Sequence, residues 1–480
     1  MLIITAALFP ILAGIYFSTR RLETQSRRND YYTATIIITD LLGILAAVFG
    51  RPVTLFTLAE GVSVSFGIDN IGRVALSAVL ILYTAVTFYS YEYMLAEEDV
   101  PAFFLFHFVS MGAMIAVCTS SNLVTLYLCF ELATLTSMPL VLHEKTKESI
   151  AAALKYLFYS IAGALMGLLG VFFVCYYGTG SRSFVWEGFL SPEKLAGHEG
   201  VVRIAIFIAI IGFGTKAGLY PMHGWLPTAH PIAPAPASAL LSGIITKAGV
   251  LAIIRLVYYS VGPQLLRNTW VQYSWMSLCM LTIFMGSMMA FREKIMKKRL
   301  AYSSISQLSY ILLGLSTLSV EGIRGGLLHL LAHSSAKGCL FLAAGVFIYK
   351  LGKRDVASLK GIGRFMPVTL SCFALASLSL VGIPPMAGFL SKWVIAGSLI
   401  GNAKGMFAIA APVILLISAL LTAGYLLPVV IDAFFPGRDF EGEDLAGCEP
   451  TRWMTVPMIC LCVVSLLVGV FGGTVMEVVI

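Results

Sequence analysis

Apolar runs of about 20 residues, each closed by a short polar or glycine- and proline-rich stretch, follow one another along nearly the whole chain. That is the length an α-helix needs to cross the hydrocarbon core of a bilayer. Fourteen spans are predicted, at 2–18, 31–49, 71–91, 102–119, 121–141, 150–177, 201–222, 237–260, 270–291, 300–317, 323–349, 368–400, 405–434 and 454–475. The first is not read as a cleaved leader, because it has no basic start and no small-residue cleavage site and runs into Arg20, Arg21, Arg27 and Arg28. Around Thr57 to Asp69 the pattern changes to alternation (Val62, Val64, Phe66, Ile68), which predicts a small hairpin outside the membrane.

Two spans break the helical pattern. Between Gly212 and Gly243 stand Pro221, Pro227, Pro231, Pro234 and Pro236. Each lacks a backbone donor and disfavours helix at the residue before it, so a broken helix is expected. In the twelfth span Gly382, Pro384, Pro385 and Gly388 interrupt an apolar stretch too long for one crossing. Such backbone at membrane depth is tolerated only inside protein or beside a water-filled cavity. Pro221-Met222-His223-Gly224 and Pro385-Met386-Ala387-Gly388 share Pro-Met-x-Gly five spans apart, an odd number, so the two units would run in opposite directions. Paired broken helices in two halves point to an inverted repeat with its site near the midplane.

Composition agrees with the pattern: 58% of the 480 residues are hydrophobic and 12% are charged, about half the ~25% usual in soluble domains. The net charge of +7 does not indicate nucleic acid, because the basic residues occupy short loops. Loops after odd-numbered spans hold 18 Lys and Arg, those after even-numbered spans eight when Arg73, Arg203 and Arg324 at the adjoining span starts are counted with them, which places both termini outside by the positive-inside rule. Of nine cysteines none forms CxxC, and most lie inside apolar runs as small hydrophobes, so no iron–sulfur or zinc site is expected.

Against this background a few ionisable residues stand out. Glu131, Lys216, Lys247, Lys337 and Lys392 lie within spans, where each costs ~2.5–3.5 kcal/mol at a helix centre on insertion scales. Snorkelling lysines are the plain alternative, but the mid-span positions are deep. Lys155, nearer a loop, fits either reading. Glu131 is the mid-span glutamate of the first half and is assigned as partner of Lys216. Desolvation weakens a lysine's hold on its proton and a nearby carboxylate restores it, so such a pair acts as a switch. His329, His333 and Lys337 recur every four residues and share one helix face. A cation in the third position and the lack of a nearby carboxylate argue against metal, and a proton relay is the better reading. Core histidines bonded to carbonyls are the alternative. The roles of Asp40 and Asp432 stay open.

The stretch Lys216, Pro221, His223, Trp225-Leu226-Pro227, Ala229-His230, Ala233-Pro234, Ser238-Ala239-Leu240-Leu241, Gly243, Lys247, Gly249 resembles the signature of the antiporter-like subunits. These are shared by respiratory complex I, Mrp-type cation/proton antiporters and membrane-bound nickel–iron hydrogenases. The resemblance extends over His329-x-x-x-His333-x-x-x-Lys337, Leu340 to Gly345 and Gly382-Ile383-Pro384-Pro385 ahead of Lys392.

The resemblance implies an all-α fold with two inverted five-helix repeats and broken helices seven (at Pro221) and twelve (at Pro384 and Pro385). It divides the chain into three N-terminal spans with the hairpin (1–100), the repeats (101–260 and 270–435) and a last span (453–480). Glu131 and Lys216 would be the switching pair, Lys247 with His329, His333 and Lys337 the central relay, and Lys392 the terminal ion site, with Lys155, His223 and His230 as further candidates. Some complex I members have glutamate where this chain has Lys392. The chain ends soon after its last span, unlike the most distal complex I subunit. Ala229-His230-Pro231 and Ser238 to Gly243 look closer to the hydrogenase and Mrp members.

The expected function is transport of protons, with sodium as the alternative exported ion, in a subunit of an energy-converting complex of a bacterial or archaeal cytoplasmic membrane. Other membrane subunits, further antiporter-like ones among them, and peripheral redox subunits are the expected partners. No nickel-, flavin- or quinone-binding motif is recognisable, so no cofactor is expected in this chain and redox chemistry would belong to partners. A stand-alone secondary transporter of an organic solute is the reading from a different class.

Overall fold

The computed structural model describes residues 1–19, 24–59, 62–179, 183–437 and 447–479. Arg20 and Arg21 of the basic cluster, and Glu60 and Gly61 of the hairpin, lie outside the described residues. Helices dominate: α1 (Leu2–Thr19), α2 (Gln25–Phe49), α3 (Asn70–Tyr93), α4 (Val100–Cys118), α5 (Leu123–Val141), α6 (Lys147–Tyr177), a short α7 (Pro192–Leu195) and α8 (Glu199–Gly214). Then follow α9 (Leu226–Ile232), α10 (Ala235–Leu240), α11 (Lys247–Leu256), α12 (Trp270–Arg292), α13 (Met296–Leu315), α14 (Val320–Leu351), α15 (Pro367–Val381), α16 (Ala387–Asn402), α17 (Phe407–Phe434) and α18 (Arg452–Val479).

Eleven helical segments among the described residues are long and apolar enough to cross a membrane. The chain is a multi-pass membrane protein. Eleven of the fourteen predicted runs coincide with these segments, and the other three differ for physical reasons. The run at 201–222 is helical only to Gly214 in α8, with the proline-rich stretch beyond it resuming as α9, and the run at 368–400 is cut at Pro384 and Pro385 into α15 and α16. The run at 300–317 belongs to α13, whose first turn carries Lys297, Lys298 and Arg299 and whose body holds Ser303, Ser304, Ser306, Gln307 and Ser309. That helix is almost wholly buried. Ser304 bonds to Ser242 at 2.7 Å and Ser306 to Ser287 of α12 at 2.8 Å, so polar side chains tie this helix to its neighbours where lipid contact would not.

The predicted hairpin is present as β1 (Val53–Ala59) and β2 (Val62–Phe66), antiparallel, with Val53 opposite Phe66 and two register irregularities. Loops gather at two ends of the bundle. At one end β2 bonds to Ser121 and Asn122, and residues 185–189 bond to Tyr258, Tyr259 and Ser260. At the other, Glu92 pairs with Lys350 and accepts from Thr451, Asp99 pairs with Lys145, and Met296 bonds to Arg354. Alternate loops therefore share an end, which is how a chain that crosses back and forth must arrange them. The interior belongs to α10, α11, α13 and α14, and the window containing α10 and α11 is completely buried.

Candidate functional site

Glycines let α6 and α8 touch backbone to backbone. A Cβ at Gly163 would lie 2.6 Å from the Gly212 carbonyl, and one at Gly212 would lie 2.4 Å from that of Gly163. This close packing fixes the end of α8, and the irregular segment after it carries Lys216, which is 1% exposed. Its Nζ donates to the Phe130 carbonyl at 3.4 Å and to Thr134 Oγ1, and stands 4.4 Å from the Phe130 ring centroid. Glu131 is next to Phe130 on α5, half-buried, with Oε1 unpartnered. Residues 130 and 134 lie on one row of the helix, whereas residue 131 is rotated by about 100°. Lys216 thus docks on the helix of Glu131 without touching its carboxylate. The ion pairs among the described residues are Lys145–Asp99, Arg255–Asp69, Lys298–Glu293 and Lys350–Glu92.

Lys247 opens α11, directly after a π-helical turn at Leu241–Ile245. Such turns displace the ordinary i to i−4 bonding and leave carbonyls available. Its Nζ donates to the Ser242 carbonyl at 2.5 Å and meets His333 Nδ1 at 2.7 Å. An ammonium has only donors to offer, so in that state His333 accepts at Nδ1 and carries its proton on Nε2, which has no protein partner.

One turn away on α14, His329 joins two further helices: Nδ1 to Ser391 of α16 at 2.9 Å and Nε2 to Gln307 of α13 at 3.1 Å. The two imidazole centroids are 6.3 Å apart. One turn the other way, Lys337 donates to the Leu300 carbonyl at 2.8 Å.

Lys392 follows Ser391 on α16. Its Nζ donates to the carbonyls of Leu380 at 2.5 Å and Val381 at 3.0 Å, the last residues of α15. A helix C-terminus leaves carbonyls without intrahelical partners and carries partial negative charge, so it suits a cation. The Tyr310 ring lies 5.1 Å from Lys392 Nζ and 5.5 Å from the His329 ring, joining the two.

The structure therefore brings Lys247, His333, His329 and Lys392 into one string of contacts, with Lys337 on the same helix face. Lys216, docked on the helix that carries Glu131, bonds to none of these residues. Lys155 stands apart, exposed, and donates to Thr228 at 2.9 Å. His223 stacks beside Tyr220 with Nδ1 buried and unpartnered, near the interruption at Pro221. His230 is fully buried against Phe341, centroids 4.9 Å apart. Asp40 accepts from Thr84 at 2.6 Å, and the Asp432 carbonyl accepts from Gly361.

Sequence reasoning missed Lys297, counted among the loop cations but 4% exposed, with Nζ on the Ala233 carbonyl. No signal in the sequence separated it from Lys298 and Arg299. It also missed the bidentate pair of Arg255 with Asp69, 2.6 Å in both contacts. No cluster of three or more His, Cys, Asp or Glu able to hold a metal occurs among the described residues.

A polytopic bundle with lysines and histidines threaded through its centre defines a membrane protein whose interior is built around ionisable groups. Residues 120–422 match the family described as NADH:quinone oxidoreductase/Mrp antiporter, TM, and the chain belongs to that family as an antiporter-like membrane subunit. It is 33% identical to NADH-quinone oxidoreductase subunit N of Desulforudis audaxviator over 385 residues, 77% of this chain and 74% of that protein. It is 31% identical to hydrogenase-4 component B of Escherichia coli over 351 residues, 70% of this chain but 51%, about half, of that longer protein. Its fold is that of a chain in the Mrp complex from Dietzia sp. DQ12-45-1b, with a TM-score of 0.84 over 100% of this chain and 96% of that one, at 21% identity.

Proposed function

We propose that the chain is the ion-translocating membrane subunit of a multisubunit energy-converting complex, coupling a partner's redox reaction to movement of protons across a bacterial or archaeal cytoplasmic membrane. The observation that carries this is the string of buried side chains from Lys247 through His333 and His329 to Lys392. Neutral packing does not account for so many ionisable groups in one line, each costly at membrane depth. Groups that both donate and accept can pass a proton along such a line.

In this reading α8 with α9, α13, and α15 with α16 complete fourteen crossings, with both termini outside. Residues 101–260 and 270–435 form the inverted repeats, flanked by 1–100 and 453–480. Lys216 and Glu131 are the switch, Lys247, His329, His333 and Lys337 the relay, and Lys392 the terminal site. Ala229-His230-Pro231 and Ser238 to Gly243 favour a hydrogenase-type complex over an Mrp antiporter or complex I. Further antiporter-like subunits are its neighbours in the membrane, and electron carriers reside in peripheral partners.

The complex isolated with its native partners and placed in sealed vesicles supplies the test. Lys247→Met is expected to abolish ion transport coupled to partner turnover while the complex still assembles. Transport near the wild-type rate overturns the reading.

A further inference from the structure

We propose that Lys297 and His230 form the proton inlet to the central relay, on the face of the bundle that carries Glu97 and Glu144. The inference rests on the ion-translocating reading above and supplies what that reading lacks, a route from water to Lys247 and Lys337.

Lys297 is the second residue of α13, among loop cations, yet 96% of its surface is covered. Its hydrogen-bond acceptor is the carbonyl of Ala233, where α9 ends before Pro234. Outward of it stand two carboxyls, half-buried Glu97 and exposed Glu144, whose charges act on it together with that of Arg354. Burial, and then the charge of Glu144, push the Glu97 carboxyl above its ordinary range, against the pull of Lys297. Glu97 thus holds a proton more readily than a free glutamate does, at the point where the buried amine would draw one.

Inward of it, His230 lies one turn before Ala233, fully buried, with neither ring nitrogen bonded to a protein group. A buried imidazole with both nitrogens unbonded is costly as mere packing. The charges that act on it are those of Lys297, Lys337 and Lys247, one toward the surface and two in the relay. Its ring stacks on Phe341, one turn beyond Lys337 on α14.

The transfer balances at each step. The Lys297 ammonium gives a proton to a ring nitrogen of neutral His230 and becomes an amine, and the resulting imidazolium gives a proton to the neutral amine of Lys337 or Lys247. A proton from the Glu97 carboxyl restores the Lys297 ammonium, and Glu97 refills from water on its own face.

A merely structural Lys297 would hold the Ala233 carbonyl and nothing more, and arginine separates the two roles. Its guanidinium keeps the charge and can donate to the carbonyl, but it does not give up a proton in proteins. In vesicles of the whole complex, Lys297→Arg is expected to assemble as wild type and to lose transport by tenfold or more. Wild-type transport stoichiometry in Lys297→Arg overturns the inlet.

The route is read separately by Lys297→Cys in the assembled complex, treated with a charged methanethiosulfonate reagent from one side at a time and analysed by peptide mass. Modification from the Glu144 face alone is expected, and modification from the opposite face alone, or from neither, overturns the proposal. Mass labelling does not depend on transport. Labelling of Lys297→Cys as expected, together with wild-type vesicles that move no ions, would count against the ion-translocating reading and leave the inlet route standing.

Discussion

Lys247 Nζ lies 2.7 Å from His333 Nδ1, so a residue of α11 and a residue of α14, 86 positions apart in sequence, meet through their titratable atoms in the middle of the bundle. The contact requires the π-helical turn before α11, which swings Lys247 back over Ser242, and the four-residue spacing on α14 that points His333 inward. Neither helix alone would place a donor against an acceptor at this depth.

Replacing His333 with alanine takes from Lys247 its side-chain partner and leaves the Ser242 carbonyl. A hydrogen bond to a charged group is worth ~1.5–3 kcal/mol, so proton hand-over at Lys247 should shift by roughly 10- to 100-fold. Ion transport per partner turnover should fall accordingly in vesicles, and an unchanged ratio would show that the contact is packing.

Lys216 and Glu131, the proposed switch, form no ion pair in the structure: Lys216 Nζ bonds to the Phe130 carbonyl and Thr134 of the same helix. At an effective dielectric of ~20, two unit charges 4 Å apart attract by about 4 kcal/mol, the upper range of what full closure of the pair could add. Glu131→Gln should uncouple transport from the driving reaction, and Glu131→Asp should keep part of the coupling. Equal pumping stoichiometry in wild type and Glu131→Gln would rule out the switch even if both rates fell.

Lys392 sits on the freed carbonyls of α15, where a neutral methionine of similar length fits but carries no proton. Lys392→Met should abolish coupled transport with assembly largely intact. Assembly is read by size-exclusion chromatography of the complex, and transport that persists at wild-type rate would remove the terminal role.

Asp69 caps α3 and grips Arg255, which is 5% exposed. Burial alone would raise the Asp69 carboxyl, but the two hydrogen bonds and the charge of Arg255 outweigh it and hold the carboxyl below its ordinary 3.8. A depressed carboxyl contributes stability that is present above the unfolded value and is lost as pH falls through the folded one. Thermal melts in detergent should therefore lose this contribution only below about pH 4. Asp69→Asn should destabilise at neutral pH toward the low end of ~3–5 kcal/mol, since the Asp69 side chain is partly exposed. It should also show less additional loss in acid. A variant as stable as wild type at pH 7 would assign the pair no structural weight.

Much of this protein was legible in its hydrophobic pattern, because lipid imposes on each crossing a length and a polarity that a chain cannot disguise. Eleven membrane segments, the hairpin and the interruptions near Pro221 and Pro384 were all visible there. The buried ionisable residues announced themselves for the same reason: a charge inside an apolar run is costly wherever its partners are. The sequence did not reveal which partner each charge finds. Glu131 and Lys216 attract on paper, yet the rotation of α5 gives Lys216 the Phe130 carbonyl and Thr134 instead.

Position along the chain also fails where polarity and burial part company. Lys297 reads like its neighbours Lys298 and Arg299, and only the packing of α13 beneath the end of α9 buries it. The sequence by itself determined that this chain lies in a membrane, roughly where it crosses and which charges enter with it, since those depend on one residue's transfer into lipid. The tertiary structure decided the order of contact from Lys247 to His333, His329 and Lys392. That order depends on the angles at which distant helices meet, and no local preference encodes those angles.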